Sequence, residues 1–204
     1  MRWPVFAVFV FVMLAFQEGF KGLWVIADVA PGLLLILAVY LALSAPATVA
    51  KWAALIIGLL VDLTTTHPLE GRPDGLVLIG PASLGYLAGV VVVLELRGLV
   101  FRDSPVALPL MVFTAGIFVH LVIVALLTLR GLPWLLGEPI AAFSPALDLW
   151  YRFWHLVYSS AVALPLGFVF VLLDPWWGFA HPASAGAGGS AGRGLGRHRP
   201  RRIS

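Results

Sequence analysis

The feature that most constrains this chain is a succession of long apolar runs with only short polar breaks between them. Trp3–Phe16 is the first and extends through Phe20; Pro31–Ser44, Trp52–Leu63, Gly75–Leu96, Pro105–Leu129 and Leu149–Leu173 follow. A helix needs about 20 mainly apolar residues to cross the hydrocarbon core of a bilayer. Of the 204 residues, 61% are hydrophobic and 11% are charged, against roughly one half and one quarter in a soluble domain. In water, a chain of this length has too much surface for its volume to hide so much apolar area. The runs therefore predict an all-α, polytopic membrane bundle of about six transmembrane helices, filling one domain over residues 1–174.

The breaks between the runs carry the expected punctuation. Pro31 suits the first turn of a helix, where its missing N–H costs nothing. Ala45-Pro46-Ala47-Thr48 signals a tight turn. Thr64 to Asp74 is polar and reads as a loop, and Gly131 to Asp148 is a long connection holding three prolines. Its Trp134-Leu-Leu and Ile140-Ala-Ala-Phe143 pieces are expected at the interface. The first run is bulky and lacks a small-x-small cleavage site at its end, so it reads as a retained span and not a signal peptide. From Asp174-Pro175 onward the chain turns rich in Gly, Ala and Arg, which predicts a disordered basic tail over residues 175–204.

Charge placement sets an expected orientation. Arg2, Lys51, Arg97, Arg102 and the tail residues Arg193, Arg197, Arg199, Arg201 and Arg202 fall on one side of a six-span arrangement. Lys21, Arg72, Arg130 and Arg152 fall on the other. The richer side is expected in the cytoplasm, with both termini there. Trp3, Trp24, Trp52, Trp134, Trp150 and Trp176-Trp177 lie near proposed span ends, where amphipathic rings sit at the membrane boundary. The absence of cysteine excludes disulfides, thiolate metal sites and a cysteine nucleophile.

Few residues are candidates for chemistry. Asp62 ends the run Leu55-Ile-Ile-Gly58-Leu-Leu-Val-Asp62, and acids within spans are costly and usually paired or functional. It reads as an interfacial acid, as an acceptor for free backbone N–H groups of the next helix, as an ion or substrate ligand, or as a partner contact. His120 lies mid-span and reads as a cross-helix hydrogen bond. Asp148, Tyr151, Arg152 and His155 read as a snorkelling polar set at the boundary. Ser83, Ser159 and Ser160 lack the Gly-x-Ser-x-Gly surroundings of a nucleophile and mark close helix packing. Gly85-Tyr86-Leu-Ala-Gly89 is a small-xxx-small pattern, which lets another helix approach closely. No histidine or acid spacing matches a metal motif, so neither metal nor other cofactor is expected.

The order of these motifs resembles a known family. Pro31 opens into Leu-Leu-Leu-Ile-Leu-Ala-Val-Tyr40; a small-residue helix ends Gly58-Leu-Leu-Val-Asp62; Gly71 and Gly75 follow, then Gly85-Tyr86-Leu87-Ala88-Gly89. This is similar to the bacterial rod shape-determining protein MreD family, by pattern over Trp3 to Leu129 and by hydropathy alone over Leu149 to Leu173. Many members carry a polar or acidic residue where this chain has Gly32, and a glycine where it has Ala54. The resemblance implies a fold like the substrate-binding subunits of energy-coupling-factor transporters. It implies a non-enzymatic component of the cell-elongation complex in the bacterial plasma (inner) membrane. The implied partners are an MreC-like bitopic protein and, through it, MreB, RodA and a class B penicillin-binding protein. Pro31, Gly58, Asp62, Gly85, Tyr86, Gly89 and His120 are its partner or structural candidates, with the small face of Gly85 and Gly89 expected to meet a partner's span. The rival expectation is a membrane-embedded small-molecule binding or transport subunit, motivated by Asp62, His120 and His155.

Overall fold

The structure is a computed structural model, and it describes residues 2–19, 22, 29–69, 72–99, 106–130 and 144–177. Six helices form the body among these residues: α1 (Trp3–Gly19), α2 (Leu33–Ser44), α3 (Ala47–Thr64), α4 (Pro81–Leu96), α5 (Ala107–Arg130) and α6 (Pro145–Trp177). A two-stranded antiparallel hairpin, β1 (Thr66–Leu69) and β2 (Arg72–Val77), joins α3 to α4. Three helices are long and apolar enough to cross a membrane: Ala47–Thr64, Ala107–Arg130 and Pro145–Leu173. The helices over Trp3–Gly19, Leu33–Ser44 and Pro81–Leu96 are apolar but shorter.

The bundle is built around α2. Every residue from Leu34 to Ala42 is buried, which is what a helix apolar on all sides requires. At 12 residues it is about 18 Å long, well short of a hydrocarbon core of about 30 Å. Its neighbours are α1, α3, α4, α5 and α6. The aromatic ring of Tyr40 stacks on Phe170 of α6 at 4.7 Å, and its hydroxyl donates to the Phe170 carbonyl at 3.3 Å. Trp177 closes the same end: it is fully buried, packs on Phe9 of α1 at 4.6 Å, and accepts the Arg2 N–H on its carbonyl at 3.3 Å. Trp176, its sequence neighbour expected at the boundary, is exposed, whereas α1 packs over the Trp177 ring.

Glycines set the closest helix approaches. A Cβ on Gly58 of α3 would lie 2.5 Å from the Ser83 Cα of α4. One on Gly89 would lie 2.9 Å from the Ala115 carbonyl oxygen, and one on Gly85 would lie 2.9 Å from that of Val119, both on α5. One on Gly116 would run into the Leu156 side chain of α6. The face of Gly85 and Gly89 is therefore filled by this chain's own α5. That corrects the expectation that it meets a partner's span.

Other boundaries also move. Thr64 to Asp74 is not an irregular loop: α3 runs to Thr64, and pairing of Thr66 with Val77, His67 with Leu76 and Leu69 with Arg72 makes a hairpin. Both strands are edges, where a proline's missing N–H is tolerated, and the register shifts between His67 and Leu69, at Pro68. The fourth run consequently becomes helical at Pro81 and not at Gly75. Pro31 stands two residues before α2 instead of in its first turn. Pro145 to Asp148 belong to α6, which continues to Trp177, so the domain limit expected at residues 174–175 falls inside its last turn. Trp24, Trp134, the Ile140–Phe143 piece and the basic tail lie outside the described residues.

Gly58→Ala is expected to lower stability by about 1–3 kcal/mol, the usual range for forcing extra volume into a packed contact. Gly98→Ala, where the added carbon meets nothing within 4 Å, should be close to neutral. Thermal unfolding of the two variants in the same detergent checks this; equal midpoints would show that the α3–α4 approach is not tight.

Candidate functional site

Succeeding helices run in opposite directions, so the first turns of α2, α4 and α6 share one end of the bundle with the last turns of α1, α3 and α5. Asp62, Ser83, Gln17, Ser159 and the His120–Arg152 contact lie toward that end. A helix that begins inside protein leaves its first N–H groups without partners, and in lipid no water is present to supply them.

Asp62, on the last turn of α3, does this for α4. It is 4% exposed. Its Oδ2 accepts the Gly80 N–H at 2.9 Å, the Ser83 N–H at 3.0 Å and the Ser83 hydroxyl at 2.7 Å. Its Oδ1 accepts the Ala82 N–H at 2.8 Å. The carboxylate also lies at the positive end of the α4 dipole. Gly80 stands immediately before the helix with φ of +127°, a conformation open to glycine alone at little cost. It turns the chain from β2 into α4 so that successive N–H groups converge on one carboxylate. Of the four readings of Asp62, the geometry is that of the backbone acceptor.

The first turn of α2 is closed in the same manner from α6. Ser159, fully buried, accepts the Gly32 N–H at 2.8 Å and donates its own proton to the His155 carbonyl at 2.6 Å. Gln17 of α1 accepts the Leu34 N–H at 3.4 Å. Gly32 has no room for a side chain, since a Cβ would lie 2.8 Å from the His155 ring. At the far end of α2, the Arg97 guanidinium donates to the carbonyl oxygens of Ala42 and Ala45 at 3.3 and 3.1 Å. Ser160 donates to the Pro109 carbonyl at 2.8 Å. The three serines considered as nucleophiles all serve backbone groups or the carboxylate that caps them.

The remaining polar residues form a cluster between α5 and α6. Arg152 Nε donates to Asp148 at 2.6 Å across one helical turn, and its Nη1 lies 3.4 Å from His120 Nδ1. The His120 and His155 rings meet edge to face at 5.4 Å. Their nitrogens His120 Nε2 and His155 Nδ1 are buried with no hydrogen-bond partner among the described residues. Of the boundary set expected from sequence, Arg152 and Asp148 are part-exposed and Tyr151 faces outward, while His155 turns inward against Gly32. Tyr86 is buried on α4. Pro31 is buried, and its carbonyl accepts the Leu33 N–H at 3.1 Å. Sequence reasoning missed the roles of Gln17, Gly32, Gly116 and Arg97. Only Gly32 had a signal, as a departure from the resembling family. No group of three histidines and acids able to hold a metal occurs among the described residues.

The apolar helices and the buried polar layer at their ends define a helical membrane protein. No family model matches the chain, and neither a curated protein nor a solved structure matches it.

Asp62→Ala is expected to cost about 2–3 kcal/mol, the loss of a charged cap whose donors stay buried. Asp62→Asn should cost about half of that, because one acceptor oxygen remains. Hydrogen exchange at the amides of Gly80, Ala82 and Ser83 is the direct readout. Unchanged protection in Asp62→Ala would remove the capping role.

Proposed function

We propose that this chain is a non-enzymatic membrane component of the bacterial cell-elongation (rod) complex, similar to MreD, which helps maintain cell shape by organising peptidoglycan synthesis through partner contacts. The carrying observation is that the motif residues behind the resemblance are the joints of one framework. Gly58 and Asp62 fix α3 to α4, and Gly85 and Gly89 fix α4 to α5. Polar side chains spent on closing helix ends suit a rigid body that works by presenting surfaces. In this reading the chain crosses the plasma (inner) membrane six times with both termini in the cytoplasm, and α2 is the buried central pass of an energy-coupling-factor-like fold. An MreC-like bitopic protein is the direct partner, with MreB, RodA and a class B penicillin-binding protein beyond it. With the small face of α4 occupied, the partner's span meets the outer faces of α1 and α6, where Phe11, Phe16, Phe168 and Leu172 are exposed.

A second reading, a membrane-embedded binding or transport subunit, is favoured by one observation, the imidazole pair with unanswered nitrogens beside Arg152. Gentle detergent extraction from the native membrane, followed by mass spectrometry of what accompanies the chain, separates the two. The scaffold reading expects an MreC-like protein and wall-synthesis enzymes. Recovery of ATPase subunits in their place would overturn it. Within a positive result, Phe168→Ala with Leu172→Ala should reduce partner recovery several-fold. Gly89→Leu should instead reduce the amount of folded chain.

A further inference from the structure

Among the described residues, the α5–α6 cluster is where buried imidazole nitrogens without a partner lie beside a guanidinium. Guanidinium groups only donate, so His120 Nδ1, which faces Arg152 Nη1, must accept, and its ring proton sits on Nε2. That N–H is buried and unanswered among the described residues. Arg152 gives Nε to Asp148 and one Nη1 proton to His120, leaving three N–H groups without a described partner. His155 adds a second imidazole whose Nδ1 is also orphaned. Among the described residues, the one carboxylate in contact, Asp148, is already engaged, and Asp62 is committed to α4. The positive end of the α2 dipole points at the same place, since Gly32 rests on His155. Among the described residues, the remaining guanidinium N–H groups and His120 Nε2–H have no acceptor oxygen.

Depth along α6 narrows the source of those oxygens. The helix has 33 residues, about 50 Å, and overhangs a hydrocarbon core of about 30 Å. Arg152 lies seven residues from its start, level with the exposed rings of Trp150, Tyr151 and Trp154. Aromatic rings in that pattern mark the headgroup boundary, and the Arg152 side chain is 22% exposed there. A guest arriving at that edge meets the free guanidinium N–H groups first. It reaches the imidazole nitrogens when the Nη1–His120 contact opens, and at 3.4 Å that is the longest in the cluster.

We propose that Arg152, His120 and His155 form a binding site for a phosphate oxyanion, supplied by the headgroup of an anionic phospholipid at the boundary where α6 begins. Arg152 takes the phosphate oxygens with its Nη groups, the geometry in which a guanidinium binds oxyanions best. His120 Nε2–H supplies an inner donor, and His155 supplies a second in its Nδ1–H tautomer. The site is independent of the wall-elongation reading and stands or falls without it.

The test uses the full chain in nanodiscs of phosphatidylcholine doped with phosphatidylglycerol, transferred to detergent and examined by native mass spectrometry. The wild type is expected to retain one phosphatidylglycerol. Arg152→Gln and His120→Phe should each lower retention by about tenfold, the usual weight of one charge-assisted hydrogen bond, while Ser160→Ala leaves it unchanged. Thermal unfolding of each variant reports whether it has folded, and Arg152→Lys, which keeps the charge without the fork, should retain an intermediate amount. Displacement of the lipid by added inorganic phosphate would support the site with a free oxyanion as its ligand; resistance to displacement would support it with the intact lipid. Failure of the wild type to retain phosphatidylglycerol, or equal retention by folded Arg152→Gln and His120→Phe, overturns the proposal.

Discussion

Helix ends that stop inside the bundle must have their backbone groups answered by side chains, and the rest of this structure depends on that requirement. In lipid an unpaired buried N–H or C=O costs several kcal/mol, roughly the whole margin of a marginal fold. The chain meets the requirement with few residues. Asp62 closes the start of α4, Ser159 and Gln17 close the start of α2, and Arg97 closes its end. Those contacts permit a 12-residue apolar helix to stand at the centre of the body, with its ends buried among its neighbours.

Capping and close approach are one device and not two. Gly58 and Asp62 are four residues apart on α3 and therefore lie on one face, one above the other. The glycine brings the α3 backbone against Ser83, and the carboxylate one turn later then reaches the amides of Gly80, Ala82 and Ser83. A side chain at residue 58 would push the helices apart and carry Asp62 out of hydrogen-bond range. The same arrangement recurs at α2, with the parts redistributed. Gly32 supplies the space, and His155 and Ser159, four apart on α6, supply the packing surface and the acceptor. In both cases a missing side chain on one helix makes room for a polar one on its neighbour.

This explains which parts of the fold were legible in the sequence. Apolar runs located all six helices because hydropathy is a local property. Asp62 was singled out because an acid at the end of an apolar run is locally expensive, and Gly85 with Gly89 because their spacing is a local pattern. What those residues touch is not local. The small face of α4 signals that a helix packs there, but nothing in the pattern says whether the helix belongs to this chain, and it is α5. Ser159 meets Gly32 across 127 positions of sequence, and Arg97 closes α2 across more than 50. Neither has a pattern of its own. The hairpin was missed for a different reason: Pro68 and Pro73 argue against strands, and only two edge strands paired with each other can tolerate them.

The same reasoning bears on where chemistry can reside. A polar side chain that closes a helix end is held in place by its hydrogen bonds, which leaves it little freedom to act on a ligand. Asp62, Ser83, Ser159 and Ser160 are all committed in this way, and Arg97 serves two carbonyls. Ranking the polar residues by what their contacts leave unspent therefore sorts function from framework better than residue type does. By type alone, an acid and three serines within spans stand out. By unspent valence, the buried unanswered imidazole nitrogens of His120 and His155, beside Arg152, stand out. They occur together, on facing turns of α5 and α6. A membrane protein with so few polar residues does not leave the largest group of them half satisfied for packing's sake, because an apolar trio of the same volume would pack at lower cost.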